Sequence, residues 1–538
     1  MPARSPSGSR WRRSVSSCTL APMLPSFNTS GPCVPAEHYM LPPEARFRGV
    51  MRLVDERKYF TLHAGRQTGK STAAQWLVDW YNAGDTYRAL WIDIQTAREQ
   101  TDSARAFRAV LSKIELALQM YWPDAPRLAL AELLADPDTA ILRHFQHLSR
   151  VSDRPLVLLI DDADSLVGPT MVSFLTQLRD GYVARRLLPF PHSVALIGQR
   201  QVRDYVFSQE DRRAVAWLGS ASPFNITAEA ATLRSFTKED VFELLLQHTT
   251  QTGQRWEPEA MELIYELSQG HPWLVNAMAD QAVNRDVKDR SVAVTAEHVE
   301  AAKETIILAR RSHVDSLIAR LKEERVRRII DPMIAGGRAE SDDLEDDLSY
   351  VHGLGLISKQ GGQYRVANPI YREVIPRVLS YPRQVQIEQP TEWYVRSDGT
   401  LDLRKLMEGW QVFWREDGHL AVEGFRYKES GPHLMLMAFL QRVVNGGGRI
   451  VREYGLGRGA LDLLVTWQGE RLVIEVKLRR DTETEARALD QVARYLDTLG
   501  EPCGWLVLFD LRKTANWDDK LFVREVEHGG KRIWIVGC

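Results

Sequence analysis

The stretch His63-Ala-Gly-Arg-Gln-Thr-Gly-Lys-Ser-Thr72 decides how the first half of the chain is read. It follows the β-rich run KYFTLH (58–63) and opens the helical run STAAQWLVDWYNAG (71–84), which Gly84 stops. A glycine-containing turn between a strand and a helix aims successive backbone N–H groups into one concavity. The helix N-terminus adds its positive dipole end there. Ala64 stands where the strict pattern has Gly, with Gly65 next door, and Gly65, Arg66, Gln67, Thr68 and Gly69 form the loop. Lys70 is placed for β/γ-phosphate oxygens, Ser71 for Mg2+, and Thr72 continues the first helical turn. This spacing predicts ATP with Mg2+ at residues 64–72.

The neighbouring runs support that reading. RALWIDI (88–94), RPLVLLIDDAD (154–164) and HSVALIGQR (192–200) read as strands, separated by DSARAFRAVLSKIELALQMYW (102–122) and MVSFLTQLRDGYVARR (171–186) as helices. Continuous apolar strands alternating with helices imply a parallel sheet covered on both faces. Asp161 ends a buried strand, where a carboxylate holds the water shell of Mg2+. Asp162 is placed either to polarise attacking water or to cap the following helix. Arg200, at the tip of the next strand, and Arg203 are either γ-phosphate sensors or surface ion-pair partners.

Further on the alternation stops. KEDVFELLLQHTTQTG (238–253), EPEAMELIYELSQG (257–270), PWLVNAMADQAVNR (272–285) and AEHVEAAKETIILARR (296–311) carry only helical spacing and predict an all-α lid. DLEDDLSYVHGLGLIS (343–358), KQGG and QYRVANPIYREVI (363–375) predict helix, strand, tight turn and strand, the outline of a winged helix. Its Lys359, Arg365 and Arg372, with Arg320, Lys322, Arg325, Arg327 and Arg328 before it, are either a DNA-contacting face or solvated charges paired with Glu323 and Glu324. Residues 381–420 read as a connector with a short helix, and 421–538 as a second α/β unit.

In that last unit ALDLLVTW (460–467) and RLVIEVKL (471–478) are strands joined by a short turn. Glu475 and Lys477 are two apart on one strand and face the same way. Pairing across the turn brings Asp462 beside Glu475, giving oxygen ligands suited to Mg2+ or Mn2+. Three charges in an apolar strand pair are costly without a function. Glu453 is either a further metal ligand or an edge carboxylate, and Arg458 in a Gly-rich bend is placed for a phosphate. Gln491 and Tyr495 are neighbours on the following helix.

Two resemblances follow from these motifs. The order of P-loop, strand ending in Asp161-Asp162, strand ending in Gly-x-Arg, helical lid with SQGHPW (268–273) and winged helix resembles the AAA-like ATPases of the STAND branch. The resemblance implies that Gly270 and Pro272 pack near the nucleotide; on the residues alone Gly-His-Pro only separates two helices, with His271 and Trp273 as lid packing. Asp462 with Glu475-Val476-Lys477, and Leu461 where the family name has Pro, resembles the PD-(D/E)XK nucleases. That resemblance implies catalytic Asp462, Glu475, Lys477 and Gln491, and metal at Asp462, Glu475 and Glu453. Residues 30–538 are similar to bacterial AAA-like proteins with a C-terminal nuclease domain.

Composition bounds the remainder. In 538 residues, 44% hydrophobic and 26% charged, wholesale disorder is excluded. Lys+Arg 69 against Asp+Glu 71 leaves a net charge of −2, so any nucleic-acid groove is local. Cys18, Cys33, Cys503 and Cys538 form no CxxC pair, which fits a reduced cytoplasmic compartment. No apolar run is long enough to span a bilayer. Residues 1–24 are Ser/Arg-rich and too polar for an export signal; they are expected to be a disordered tail or to precede the true start at Met23.

The expected fold class is α/β multidomain. It comprises a P-loop NTPase parallel sheet at 25–228, an all-α lid at 229–312 and a winged helix at 313–380. After the connector at 381–420 comes a C-terminal α/β restriction-endonuclease-like nuclease domain at 421–538. The expected function is an ATP switch controlling a metal-dependent nuclease that acts on nucleic acid, DNA foremost. The alternative is a switch whose nuclease fold only holds DNA. A homo-oligomer is open, with Arg212 and Arg213 as trans-acting candidates, and no membrane partner is expected.

Overall fold

The computed structural model describes residues 24–42, 44–98, 100, 102–198, 227–308, 319–321, 323–334, 345–360, 362–375, 394–396, 398–415, 432–433, 435–437, 439–440, 448–456, 459–467, 469–479, 483–510 and 516–538. Five strands make the first sheet: β1 (Tyr59–His63), β2 (Arg88–Asp93), β3 (Leu156–Asp161), β4 (Ser193–Gly198) and β5 (Thr227–Thr232). Their order is β2-β3-β4-β1-β5, and every pairing is parallel. β1, β3 and β4 are buried along their whole length, as strands covered on both faces must be. One face packs on helices Ser103–Tyr121, Pro137–Val151 and Gly168–Ala184 through residues such as Phe107, Phe145 and Phe174. The other packs on Glu44–Asp55 and Lys70–Ala83 through Phe47, Leu77 and Val78.

The lid is helical: Lys238–Thr252, Pro258–Ser268, Pro272–Asp280 and Ala296–Leu308. Thr237 starts it with a capping box, its side chain accepting from Asp240 N–H while Asp240 accepts from Thr237 N–H. Residues 24–41, expected with the ATPase core, pack on the lid instead. Phe27 and Tyr39 enter its core against His248 and Trp256.

Two more helices, Glu324–Ile334 and Glu345–Gly353, lead into an antiparallel hairpin of β6 (Ile357–Gln360) and β7 (Gln363–Val366). Lys303 fastens this hairpin module to the lid. It is only 3% exposed, and its ammonium lies 2.9 Å from Glu300 on its own helix and 3.4 Å from Glu373 beyond β7.

The C-terminal sheet is mixed. It contains β8 (Gly448–Leu456), β9 (Gly459–Trp467), β10 (Glu470–Leu478), β11 (Cys503–Phe509), β12 (Phe522–His528) and β13 (Lys531–Gly537), ordered β12-β13-β11-β10-β9-β8. β8, β9 and β10 form an antiparallel meander, and Gly469 makes the β9–β10 turn at φ 91°. β10, β11 and β13 run parallel. Helix Thr484–Leu499 covers one face through Val492 and Leu496. Helix Leu403–Phe413, expected within a connector, packs in the core of the opposite face. Its Trp410 is fully buried, and Trp410 Nε1 donates to Cys538 Sγ at 3.2 Å.

Candidate functional site

The loop between β1 and the next helix needs two left-handed residues, Gln67 at φ 57° and Gly69 at φ 89°. Lys70 Nζ donates to the carbonyls of Ala64 at 2.8 Å and Gly65 at 2.7 Å, and Thr68 Oγ1 donates to Gly65 O at 2.9 Å. Burial lowers the Lys70 pKa, against the pull of Asp161, Asp164 and Asp162. Asp161, 3% exposed, is bonded by Ser71 and by Trp91 Nε1 at 3.2 Å, and its Oδ1 accepts from Asp162 N–H at 3.0 Å. Burial raises the Asp161 carboxyl. Ser71 and Asp161 side by side are the oxygen donors that Mg2+ beside a phosphate requires. Asp162 sits at φ 51° and makes no side-chain cap bond; burial, then Asp161 and Asp164, push its carboxyl up to about 6.

Three contacts around the loop had no local sequence signal, because they join residues far apart in the chain. Arg46 Nη2 donates to Thr68 O at 3.1 Å and to Arg234 O at 2.6 Å, bracketing the loop to the lid hinge. Cys33 N–H donates to Thr72 Oγ1 at 2.9 Å. A Cβ on Gly65 would stand 2.8 Å from the Leu354 carbonyl oxygen, so the hairpin module rests on the loop where only glycine fits. A cavity of about 310 Å³ opens between loop, lid and module, lined in part by His63, His271 and His352. Pro272 and Trp273 are buried in the lid. Arg200, Arg203, Arg212 and Arg213 lie outside the described residues.

In the C-terminal unit Asp462, Glu475 and Lys477 come together on the face covered by helix Thr484–Leu499. Asp462 Oδ2 accepts from Val476 N–H at 2.9 Å, and Asp462 N–H reaches Glu475 Oε2 at 3.4 Å. Lys477 Nζ lies 2.5 Å from Glu475 Oε1 and 3.7 Å from Asp462 Oδ2. Glu475 is fully buried; burial first, and Asp462 beside it, raise its pKa. Burial alone would lower Lys477, but Asp462 and Glu475 outweigh it and raise the pKa. Gln491 Nε2 donates to Tyr495 OH at 2.8 Å, and Tyr495 is close enough to Lys477 to contribute to its field. Two converging carboxylates with a shared cation suit a hard divalent ion by donor chemistry. Glu453 lies in β8 with its side chain outside the described set, as is Arg458 altogether.

Among the described basic residues before the hairpin, several pair with acids of the same module. Arg320 pairs with Glu323 at 2.6 Å, and Arg325 and Arg328 share Asp347 at 3.1 and 3.0 Å. Lys359 and Arg365 are exposed on the hairpin.

Residues 54–206 match the family model described as "AAA domain". This region is an AAA-like P-loop ATPase. Residues 405–513 match a "Domain of unknown function (DUF8371)". No curated protein matches the chain. Among solved structures, the Walker-type ATPase of Pyrococcus abyssi is similar at 14% identity, over 65% of this chain and 99% of its own, with a TM-score of 0.47. The ORC1 protein of Aeropyrum pernix in complex with DNA is 14% identical, over 64% and 94%, with a TM-score of 0.33. The Thermotoga maritima RuvB Holliday junction branch migration motor is 12% identical, over 65% and 96%, with a TM-score of 0.32. No helix among the described residues is long and apolar enough to cross a membrane.

Proposed function

We propose that the chain is an ATP-driven switch that controls a metal-dependent nuclease acting on DNA. Residues 64–72 with Asp161 bind ATP and Mg2+, with Asp162 orienting water. Asp462, Glu475 and Lys477, with Gln491 beside them, form the cleavage site. The observation that carries the nuclease reading is the convergence of two carboxylates and Lys477, with Val476 N–H donating to Asp462. A Mg2+ or Mn2+ ion held by Asp462 and Glu475 would neutralise charge on the scissile phosphate. Lys477, beside Glu475, is the cation that would face the reacting phosphate, while Val476 N–H keeps Asp462 aimed. The close packing of the hairpin module on Gly65 supports control by nucleotide, since a change at the loop meets the module directly.

One observation favours a second reading, in which the fold holds DNA without cutting it. Lys477 already satisfies Glu475 at 2.5 Å, so the acids have a resident cation. Incubation of plasmid and linear DNA with purified protein and Mg2+ or Mn2+, beside Asp462→Ala, separates the two. Cleavage by wild type, reduced at least about a thousandfold in the variant, is expected from the several kcal/mol a metal contributes to the transition state. Undiminished cleavage by Asp462→Ala would remove the assignment, and DNA binding without turnover would favour the second reading.

A further inference from the structure

We propose that Trp91 is a positioning residue of the nucleotide site: its indole N–H holds the carboxylate of Asp161 in the orientation that Mg2+ needs. This role rests on the binding of ATP and Mg2+ by residues 64–72 and Asp161. It adds a residue that the phosphate-loop pattern does not contain.

The placement follows from strand period. β2 and β3 run parallel, with Trp91 opposite Leu159 and Asp93 opposite Asp161. Residues two apart on a strand share a face, so Trp91, Leu159 and Asp161 lie on one side of the sheet. Helix Lys70–Ala83 covers that side: Leu159 is buried with Leu77 and Val78, and Trp91 packs against the same cluster. The first turn of this helix carries Ser71, which bonds Asp161. The long indole reaches one step along the neighbouring strand, and its Nε1 lies 3.2 Å from Asp161 Oδ2. β2 is the edge of this sheet among the described strands, yet it is fastened to the same helix. Asn82 Nδ2 donates to Ala89 O at 2.9 Å, and Ala89 N–H donates to Asn82 Oδ1 at 2.9 Å. The strand that carries Trp91 is thereby tied to the helix that carries Lys70 and Ser71.

The donors divide the carboxylate between them. Oδ1 accepts from Asp162 N–H at 3.0 Å, Oδ2 accepts from Trp91, and Ser71 makes a third bond. Ser71 is itself an expected ligand of Mg2+, so Asp162 N–H and Trp91 Nε1 are the donors that stay with Asp161 when the ion binds. One sits on each oxygen, and together they fix the plane of the group. An indole N–H only donates and offers the ion no lone pair, so Trp91 orients Asp161 without competing with it. A phenylalanine would fill the same core and leave Oδ2 without its anchor.

The test is calorimetric binding of a non-hydrolysable ATP analogue to the full chain, in Mg2+ and in EDTA, for wild type and Trp91→Phe. Thermal unfolding of both runs alongside. Loss of a bond that orients a metal-holding group is expected to weaken binding in Mg2+ about tenfold. Binding in EDTA is expected to stay near that of wild type, a split that a purely structural tryptophan would not produce. Raising Mg2+ is expected to recover the lost affinity by mass action. Trp91→Met, which also fills the core without a donor, is read in the same way should the Phe variant fail to fold. Equal weakening in Mg2+ and EDTA, or none in either, would overturn the role of Trp91 and leave the ATPase reading standing. A wild type that binds the analogue in neither condition would overturn nucleotide binding and the role of Trp91 with it.

Discussion

Lys70 and Lys477 occupy corresponding places in the two halves of the molecule, each a half-buried cation near a pair of acids, yet they are held by different partners. Lys70 rests on neutral carbonyls at 2.8 and 2.7 Å, while Asp161 is engaged by Ser71 and Trp91. Lys477 rests on carboxylates at 2.5 and 3.7 Å. Both lysines donate charge-assisted bonds, but only the acceptors of Lys477 carry a full opposite charge, which adds Coulomb attraction. An arriving phosphate therefore draws Lys70 away from its carbonyls at little cost, so the first site is ready for an anion. At the second site Lys477 already offsets part of the charge of the two acids, and on the proposed function a divalent cation would have to compete with it. One lysine is held by acceptors that an arriving anion can displace, and the other by the acids themselves.

Removing each cation should expose that contrast. Lys477→Met leaves Asp462 and Glu475 without their partner and should destabilise the C-terminal sheet by about 3 kcal/mol. Lys70→Met strands two carbonyl acceptors and removes a cation near Asp161, which Ser71 and Trp91 still engage, and should cost less, about 1 kcal/mol. Hydrogen exchange across β9–β10 and across β1 reads the two separately. Mg2+ should recover part of the Lys477→Met loss by binding the folded site. Equal losses would break the comparison.

Much of this contrast was legible in the sequence because its carriers are local. The P-loop lies within ten consecutive residues, and Glu475 and Lys477 share a face by strand period alone. β5, with the sequence TAEAAT, was not legible, since alanine and threonine give no apolar alternation. Neither was the docking of residues 24–41 on the lid, nor that of helix Leu403–Phe413 on the C-terminal sheet. Composition near a segment does not say which distant surface it meets. Nothing local marks Lys303 as a buried bolt between lid and hairpin, because its partner Glu373 lies far along the chain.

The two halves should also separate with acid. His144 is 3% exposed, neither of its ring nitrogens has a hydrogen-bond partner among the described residues, and burial lowers its pKa to about 4 from 6.5. The unfolded chain takes up this proton first as pH falls. The contribution is therefore intact above about 6.5 and is lost progressively toward about 4, at up to about 1.4 kcal/mol per pH unit. Denaturation of wild type and His144→Leu across that window should show a flatter slope in the variant; identical slopes would contradict the assignment.

The smallest expected effect concerns the basic helix. Arg328 shares Asp347 with Arg325, so Arg328→Ala should cost about 0.5 kcal/mol of stability and leave the salt dependence of DNA affinity unchanged. A salt slope lowered by about one would instead place that arginine on a phosphate.

On the proposed function, nucleotide at residues 64–72 governs cleavage at Asp462, Glu475 and Lys477. The most direct test of this control is the rate of plasmid cleavage in Mg2+ with and without ATP, by wild type and by Lys70→Ala. A rate that changes with ATP in wild type and is indifferent to ATP in the variant is expected. A wild-type rate that ATP does not alter, under conditions where ATP is shown to bind, would contradict it.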